Sequence, residues 1–584
     1  MSEIKYLKEK QHLQKLAKIY AQKKPHLAEV LEPDDPQTSY LMEGFAFLSA
    51  HLQEKIDDAF PEITLPLLQR LGSQAIKGIP STSIIQISCE KEINYSYFIP
   101  KNSSALGNNN ECFSTCRDLY IEPYSLIEKK VTHQPNKSCI SLTFKYLGNI
   151  ENIQSCSLNL FLSPIKNIAD TLLLGLTQHF DYIELKHADQ SYHGDNATFC
   201  FNSQIGKDYP IFPQSENTPK APQQLLEGLY LPHVHHFINL DIPMIIKQLN
   251  WEKSTQFTIN IYLNKQISLT KEQCQNCFLL NCIPTVDKEK DHTVIIDFQE
   301  NKSSYLLPIP NNHYLSSLSE IMLSLEPHEK ERGIYCHFYS ITELTSASRL
   351  LPQYQNSLFY SLTIDKDITG RTFYTVHFYD NKGEGLISPP SLHFSCTYVG
   401  FEKYKDNRIG ILNAHSENIP DNLLLTNITP LSECFPPIVD DKYYWHLLSH
   451  YSANAFMLMS ISTIKNMLSD YLIYAELDKQ ITRKIKHSLE GCIDLKSYTY
   501  DYILKGKPHR CLSLTLTIDT NYFENEGDAF IFVSHLYHFF PFCLSENMLL
   551  EMKIKFNDND NDNDNDNVKW FLSPSPLKGY KSLL

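Results

Sequence analysis

Glycine is scarce in this sequence, and no apolar stretch is long. Only 19 of the 584 residues are glycine, and neither phosphate-binding pattern, G-x-x-x-x-G-K-S/T or G-x-G-x-x-G, occurs. The longest apolar candidate, residues 172–176, stops before Gln178 and His179, well short of the roughly 18 residues that a membrane span requires. These absences argue against a common nucleotide site and a helical membrane anchor, so no direct membrane insertion is expected.

An excess of basic residues is also missing. The chain carries 52 Lys and Arg against 67 Asp and Glu, a formal charge of −15, which disfavours nucleic acid as a main partner. The 15 cysteines are irregularly spaced, which favours reduced thiols over a disulfide framework. The opening residues, MSEIKYLKEKQHLQ, contain no apolar core of a secretory signal. A cytoplasmic location is therefore expected, with no nucleic-acid partner.

The sequence does contain an unusually apolar helical stretch at residues 34–78. Apolar side chains recur there at a spacing of 4-3-4-4, which places them on one face of an α-helix that Pro61 ends. An ordinary pair of core helices would explain this stripe, but Tyr40 and Phe47 lie beside it, so more than one side is apolar. The residues predicted to bind partner chains are Leu41, Phe45, Phe47, Leu48, Leu52 and Ile56.

At residue 79 the period of the apolar pattern changes from 3.6 to 2, which predicts strands. The length exceeds what one core can organise, so two to four domains are expected. The predicted fold class is α+β, with a helical segment followed by multiple β-rich domains that carry packed helices. Three alternating strands after residue 333 predict a meander, and Leu549–Phe556 is the last predicted strand. The predicted regions are 1–78, helical; 79–332, β-rich with helices; 333–556, α+β; and 557–584, an acidic low-complexity run and tail.

Several strings of residues resemble a known family. LMEGFAFL at residues 41–48 and DDAFPE at residues 57–62 resemble the N-terminal signature of TssF, a baseplate subunit of the bacterial type VI secretion system. Matches recur up to about residue 555, among them the phrases at 225–232 and 444–452. Gly228 stands where the family usually has an aromatic residue, which marks a divergent member.

This resemblance implies a structural role and no catalytic residue or cofactor. TssF subunits associate in pairs with one TssG to form a baseplate wedge, so a second copy of this chain and TssG are expected partners. The wedge surrounds the spike hub and contacts TssE and the tail sheath, and TssK links it to the membrane complex. The resemblance therefore implies a cytoplasmic protein docked beneath the inner membrane, with a fold similar to the wedge of a contractile phage tail.

Two other functions fit the sequence less well. One is a wedge protein of a phage or phage-like contractile tail outside a secretion system. The other is a cytosolic enzyme that handles a metal or a carbohydrate on a β-rich fold. Neighbouring genes for a sheath and a TssK-like adaptor, or for phage head proteins, would separate the first from the secretion system. A stoichiometric metal would favour the enzyme.

Cysteine and histidine clusters are the main candidates for a metal site. Cys274, Cys277 and Cys282 have partial zinc spacing, and His292 is the one close candidate for a fourth ligand. A lone C-x-x-C is a weak signal, and scattered buried thiols explain it better. We therefore expect no bound metal. Further possible donors are Cys112, Cys116, His233, His235 and His236.

Other patterns lack a residue that their chemistry requires. The run at 557–567 matches calcium-binding positions of an EF-hand, but Asn563 and Lys569 replace the glycine and glutamate. A solvated, disordered run is expected instead. His446 and His450 lie four apart on a predicted helix without the glutamate of an H-E-x-x-H site. Asp57 and Asp58 are adjacent, so they point about 100° apart on a helix and cannot act as one acid–base pair.

Overall fold

Strands dominate the part of the chain that the structure describes. The computed structural model covers most of residues 77–580, with its larger gaps at 147–156, 213–219, 242–254, 325–337, 341–357, 386–392 and 558–567. Before residue 77 it describes only Lys10, Tyr40 and residues 43–46, 48–49 and 67–68, which are helical. Most of the predicted N-terminal helical segment lies outside the described residues, so that segment stays a prediction.

Alternating side chains account for most strands, since successive residues point to opposite faces. Thr255–Leu263 and Thr372–Tyr379 form strands with the bounds that the alternation predicts. The strands are β1 Thr82–Cys89, β2 Tyr97–Ile99, β3 Ser104–Gly107, β4 Cys112–Thr115, β5 Leu119–Ile121, β6 Tyr124–Gln134, β7 Lys137–Tyr146, β8 Ser157–Phe161, β9 Phe180–His187, β10 Gln190–Asp195, β11 Phe201–Ser203, β12 Phe237–Asp241, β13 Thr255–Leu263, β14 Cys282–Asp287, β15 Lys290–Asp297, β16 Ser304–Leu306, β17 His313–Ser324, β18 Phe338–Ser340, β19 Leu358–Lys366, β20 Thr372–Tyr379, β21 His393–Glu402, β22 Leu412–His415, β23 Leu423–Asn427, β24 Cys492–Leu504, β25 Lys507–Ile518, β26 Met548–Phe556, β27 Val568–Phe571 and β28 Leu577–Lys578.

Helices lie between these strands, and a short 3-10 turn at Pro232–His235 precedes β12. The helix that begins at Glu526 is capped by the Asn525 side chain, which accepts a hydrogen bond from the backbone N–H of Asp528. No helix among the described residues is both long and apolar enough to cross a membrane. The α-helices are α1 Lys166–Gln178, α2 Lys220–Tyr230, α3 Lys271–Gln275, α4 Asp441–Tyr451, α5 Ile461–Ser469, α6 Lys479–Glu490 and α7 Glu526–Phe539.

The chain divides into two compact units. The first unit combines Met1–Arg70 with Asp440–His450, and the second combines Leu71–Val439 with Tyr451–Leu584. In the second unit, a six-stranded sheet has the order β22-β3-β4-β14-β1-β23, so it pairs strands from both sides of residue 332. The sheet therefore contains strands from both of the predicted regions 79–332 and 333–556, because β22 and β23 return to pair beside β3 and β1.

Two further sheets of the second unit pack face to face. One has the order β15-β21-β17 and the other the order β16-β20-β19-β18. Their facing side chains, among them Tyr305, Phe378 and Phe394, form one buried cluster, as in a β-sandwich. The predicted meander is wrong at its first step, because β18 and β19 are parallel. A parallel pair cannot be joined by a tight turn and needs a long connection, and β18 ends at Ser340 whereas β19 begins only at Leu358.

The C-terminal sheet has the order β24-β25-β26-β27, and β28 also pairs with β26. Lys505 and Gly506, which both have positive φ, form the two-residue turn between β24 and β25. Helix α7 then connects β25 to the parallel strand β26. The prediction that β26 is the last strand is wrong, because β27 and β28 follow the acidic run.

Packing of Trp570 stabilises β27 on the C-terminal sheet. Its ring is buried and meets the rings of Phe530 and Phe556 edge-on, with centroids 5.5 and 4.9 Å away. Trp570→Ala should lower the free energy of unfolding by about 3 kcal/mol, the low end for a buried large-to-small aromatic change. Phe571→Ala is the control, since Phe571 is partly exposed and its removal should cost under about 1 kcal/mol. Equal losses in denaturant unfolding would show that β27 adds no core packing.

Candidate functional site

The first unit carries the side chains that the sequence predicts to bind partners. Phe45 and Leu48 are exposed to 59 % and 57 %, whereas Ala46 between them is fully buried. The described helix therefore turns one face inward and leaves the two large apolar side chains outside. The other four predicted residues, Leu41, Phe47, Leu52 and Ile56, lie outside the described residues, so the stripe as a whole stays a prediction.

Other large apolar side chains of the first unit are also exposed. In α4, Tyr444 and Leu447 are buried, but Trp445 is exposed to 46 %. Tyr40 and Leu67 are likewise exposed. Single exposed apolar residues are ordinary on a monomer, but many in a small part of the chain are typical of an interaction surface. Among the described residues of this unit, the exposed large apolar side chains are Tyr40, Phe45, Leu48, Leu67 and Trp445.

A buried ionic cluster joins distant parts of the second unit. Lys166 Nζ in α1 donates to Asp170 Oδ2 at 2.5 Å and to Asp528 Oδ1 of α7 at 2.7 Å. His236 Nε2, just before β12, lies 2.8 Å from the other oxygen of Asp170. Asp170 is fully buried and His236 nearly so. The cluster thus links α1, α7 and the start of β12 through charged hydrogen bonds, which are stronger than neutral ones.

The Asp170 carboxylate is held in its charged form by these partners. Burial alone would raise the pKa of Asp170, but the hydrogen bond from His236 and the Lys166 ammonium outweigh it and lower that pKa. For Lys166, the two aspartates outweigh burial and raise the pKa of the ammonium. The sequence reasoning missed this cluster, and the only local signal for it was the i,i+4 spacing of Lys166 and Asp170.

The surroundings of a second buried carboxylate, Glu227 in α2, favour its neutral form, in contrast to those of Asp170. Its Oε1 accepts hydrogen bonds from Gln223 Nε2 at 2.9 Å and from the backbone N–H of Ile211 at 3.2 Å. Oε2 is buried without a hydrogen-bond partner among the described residues. Burial raises the pKa of Glu227 to about 7, against the smaller opposing effect of the hydrogen bonds. Folding therefore favours the protonated acid.

Glu227→Gln should make stability less dependent on pH. The raised pKa means that Glu227 contributes stability fully below about pH 4.5, and that this contribution disappears as pH rises through about 7. Gln cannot ionise, so the variant should gain about 3 kcal/mol relative to the parent chain over that interval. Urea unfolding at several pH values measures the difference. Glu272→Gln, at an exposed position of α3, is the control, and parallel profiles for parent and Glu227→Gln would contradict the assignment.

Gly228 has a steric explanation. A Cβ atom at Gly228 would lie 2.5 Å from the His535 ring, closer than real contacts allow. The His535 ring also meets His235 edge-on at a centroid distance of 4.7 Å. Burial lowers the pKa of both imidazoles, so both rings are neutral at neutral pH. The imidazole of His535 thus occupies the space beside α2 that a side chain at position 228 would need.

The predicted metal candidates near Cys274 do not come together with His292. Cys274, Cys277 and Cys282 are buried free thiols, and burial raises the pKa of Cys277 to about 11, which disfavours the thiolate that binds metal. Cys277 Sγ instead donates to the Gln273 carbonyl at 3.1 Å. His292 lies in β15, where its ring meets that of His313 at a centroid distance of 4.9 Å.

The remaining candidates have separate surroundings. His233 Nε2 lies 3.1 Å from Thr82 Oγ1, whereas His235 and His236 contact His535 and Asp170 as described above. In α4, His446 is exposed and His450 buried, which is consistent with helix packing. Burial raises the pKa of Cys116 to about 12. The acidic run at 558–567 and the pair Asp57–Asp58 lie outside the described residues.

Comparison with known proteins defines first a class and then a family. The fold matches a chain of the solved TssK-TssF-TssG baseplate subcomplex of the type VI secretion system, with a TM-score of 0.66, 18 % identity, and 88 % of this chain and 96 % of that chain covered. It also matches a chain of a solved type VI baseplate complex, with a TM-score of 0.53, 16 % identity, and 94 % and 96 % covered. The fold is therefore of a kind found in secretion-system baseplates.

The family follows from the sequence. The family model described as "Type VI secretion system, TssF" matches residues 3–564, so the chain belongs to the TssF family. A curated relative, the type VI secretion system component TssF1 of Pseudomonas aeruginosa, is 33 % identical over 87 residues. That match spans 14 % of this chain and 14 % of the relative's length. The predicted family is thus confirmed over nearly the whole chain.

Proposed function

We propose that this chain is a structural subunit of a type VI secretion baseplate wedge and binds TssG and TssK. The observation that carries the proposal is the family match over residues 3–564, supported by the fold match to the TssK-TssF-TssG subcomplex. The role is non-enzymatic. The buried ionic groups of the second unit bind one another, as expected of a structural scaffold.

The wedge also contains a second copy of this chain. In the assembled machine it surrounds the spike hub, contacts TssE and the sheath, and lies in the cytoplasm beneath the inner membrane, where it couples to sheath assembly and contraction. These partners are those that the family resemblance implies. The formal charge of −15 supports protein partners over nucleic acid.

The partner-binding surface is the apolar stripe of the first unit, together with Phe47 beside it. Phe45 and Leu48, its described members, are more than half exposed. Burial of the five stripe side chains could contribute roughly 8–15 kcal/mol gross, an upper bound before the cost of ordering the chains. A helix with such a stripe packs like one helix of a coiled coil, with side chains of neighbouring chains inserted between its own. We therefore place two copies of this chain and one TssG in a shared bundle.

Co-expression with TssG and TssK from the same genome tests the proposal. A tagged copy of this chain should retain both partners through purification, and an untagged second copy should co-elute. A homologous chain pair from an unrelated secretion cluster is the specificity control. Recovery of the tagged chain alone, folded by circular dichroism, would contradict the wedge role. Neighbouring genes for phage head proteins would favour the contractile phage tail instead.

A further inference from the structure

Three side chains that can bind a metal ion meet on the β15-β21-β17 sheet. His292 lies in β15, His313 in β17 and Glu402 at the end of the central strand β21. One potential ligand atom from each lies within 4.8 Å of the other two. The strand register brings the three side chains together. His313 pairs with Glu402 and His292 pairs with Tyr398, and both Tyr398 and Glu402 lie on the same face of β21.

The strand position between Tyr398 and Glu402 on this face is Gly400. Residues two apart on a strand point to the same side, and a Cβ atom at Gly400 would lie 2.5 Å from the backbone carbonyl oxygen of Tyr314 in β17, so the glycine permits the close approach of that strand. The imidazoles of His292 and His313 approach from the two flanking strands. The glycine contributes no side chain between them.

Two nitrogen atoms of these rings lack a hydrogen bond. His292 Nε2 and His313 Nδ1 are buried without a partner among the described residues, although a buried imidazole nitrogen normally has one. His313 Nε2 lies 3.4 Å from Glu402 Oε1.

Neighbouring side chains hold the three groups in place. Tyr398 stacks on the His292 ring at a centroid distance of 5.2 Å. The Asp287 carboxylate accepts hydrogen bonds from the backbone N–H of Glu402 at 3.0 Å and from the Tyr404 hydroxyl at 2.7 Å, which fixes the end of β21. These contacts restrict the His292 ring and the backbone at Glu402.

We propose that His292, His313 and Glu402 bind one divalent cation of the zinc class. Two imidazoles and one carboxylate suit Zn²⁺, and three protein ligands leave a fourth position for water. With metal–ligand bonds of about 2.1 Å, tetrahedral ligand atoms lie about 3.4 Å apart. Side-chain rotations that move the ligand atoms by about 1 Å therefore bring all three within bonding distance of one ion. The ion clamps three strands whose ligands lie far apart in sequence. The site departs from the expectation of a chain without metal.

Lys290 provides an internal test of this site. Its ammonium lies 3.7 Å from Glu402 Oε1 and competes with a cation for the carboxylate. Lys290→Gln should therefore tighten binding of Zn²⁺, whereas removal of a ligand should weaken it. An increase in affinity cannot arise from partial unfolding, so this variant separates a metal site from a merely structural cluster.

Titration of the full-length, chelator-treated chain with Zn²⁺, followed by calorimetry, tests the proposal. The parent chain should bind one equivalent tightly. His292→Gln and His313→Gln should each weaken binding by more than about 100-fold, and Asp287→Asn by about 10-fold. Cys277→Ser is the control and should leave the affinity unchanged. Co²⁺ in place of Zn²⁺ should show ligand-field bands without a thiolate charge-transfer band.

Three outcomes would overturn the proposal. The first is the absence of a stoichiometric site in the parent chain. The second is a site that survives in both histidine variants or shows thiolate bands with Co²⁺, which would place the metal at the cysteines. The third is weaker binding by Lys290→Gln. Near-ultraviolet circular dichroism of each histidine variant establishes that it is folded, so that loss of binding reports on the ligand.

Discussion

Phe45→Asp is expected to abolish co-purification of this chain with TssG. The Phe45 ring is exposed to 59 % in the isolated chain, so a carboxylate there is hydrated and should not unfold the first unit. In a shared helical bundle the same carboxylate would be buried without a partner, which costs several kcal/mol. Added to the lost apolar contact of an anchor residue, this should weaken binding by about 3 kcal/mol or more, over about 100-fold in Kd.

Matched substitutions separate the interface from general effects of an added charge. Leu48→Asp, at 57 % exposure, should behave like Phe45→Asp. Ile409→Asp, at 60 % exposure in the second unit, should leave the amount of TssG recovered unchanged. Normal TssG recovery with both first-unit variants would place the interface elsewhere. Unfolding of the whole chain by either variant would mean that the stripe belongs to an internal core.

Local patterns in the sequence predicted local structure well. The alternation in β13 is strict, that in β20 holds for its buried residues, and both strands have the predicted bounds. Helix α1 appears where apolar residues change to a helical period, whereas α7 is apolar on all sides. The confirmed α+β character follows from these short-range signals. The family identity followed from a different signal, the unusual string at residues 41–48, which periodicity alone would not distinguish from a core helix.

Long-range pairing was beyond the reach of the sequence. Alternation does not specify which strand pairs with which, so the parallel pair β18–β19 and the returning strands β22 and β23 could not be foreseen. The acidic run obscured Trp570, because a low-complexity segment was expected to end the fold. The histidine cluster was missed because strand pairing is not specified by alternation. His292, His313 and Glu402 meet only through the register of the β15-β21-β17 sheet.

The buried ionic cluster is the clearest case of such long-range organisation. Asp170 belongs to the middle of the chain and Asp528 to its C-terminal part, yet one ammonium, that of Lys166, binds both. Gly527 permits the approach, since a Cβ atom there would lie 2.3 Å from the Asp170 carbonyl oxygen. The contact of α1 with α7 thus depends both on the absence of a side chain at Gly527 and on the ionic cluster. A buried network of this kind contributes orientation more than net stability.

Asp170→Asn is expected to lower the free energy of unfolding by about 4 kcal/mol at pH 7, since removing one partner from a buried ionic cluster is strongly destabilising even where the intact cluster adds little net stability. Lys166 would keep only Asp528 in the pair, and His236 would lose its carboxylate partner. Asp181→Asn is the control, because its pair with Lys137 at 3.1 Å is exposed and such pairs contribute under about 1 kcal/mol. Denaturant unfolding of both variants gives the comparison.

The pH dependence of the Asp170→Asn effect identifies its origin. Because the pKa of Asp170 is lowered in the folded chain, its stabilisation is present above the unfolded value of about 3.9 and is lost only as pH falls below it. The deficit of Asp170→Asn should thus be constant between about pH 5 and 8 and shrink below about pH 4. The Glu227 effect changes instead between about pH 4.5 and 7, so the two carboxylates are separable in one set of unfolding curves. A deficit that persists unchanged at pH 3 would mean that the amide at position 170 perturbs packing and that charge is not the cause.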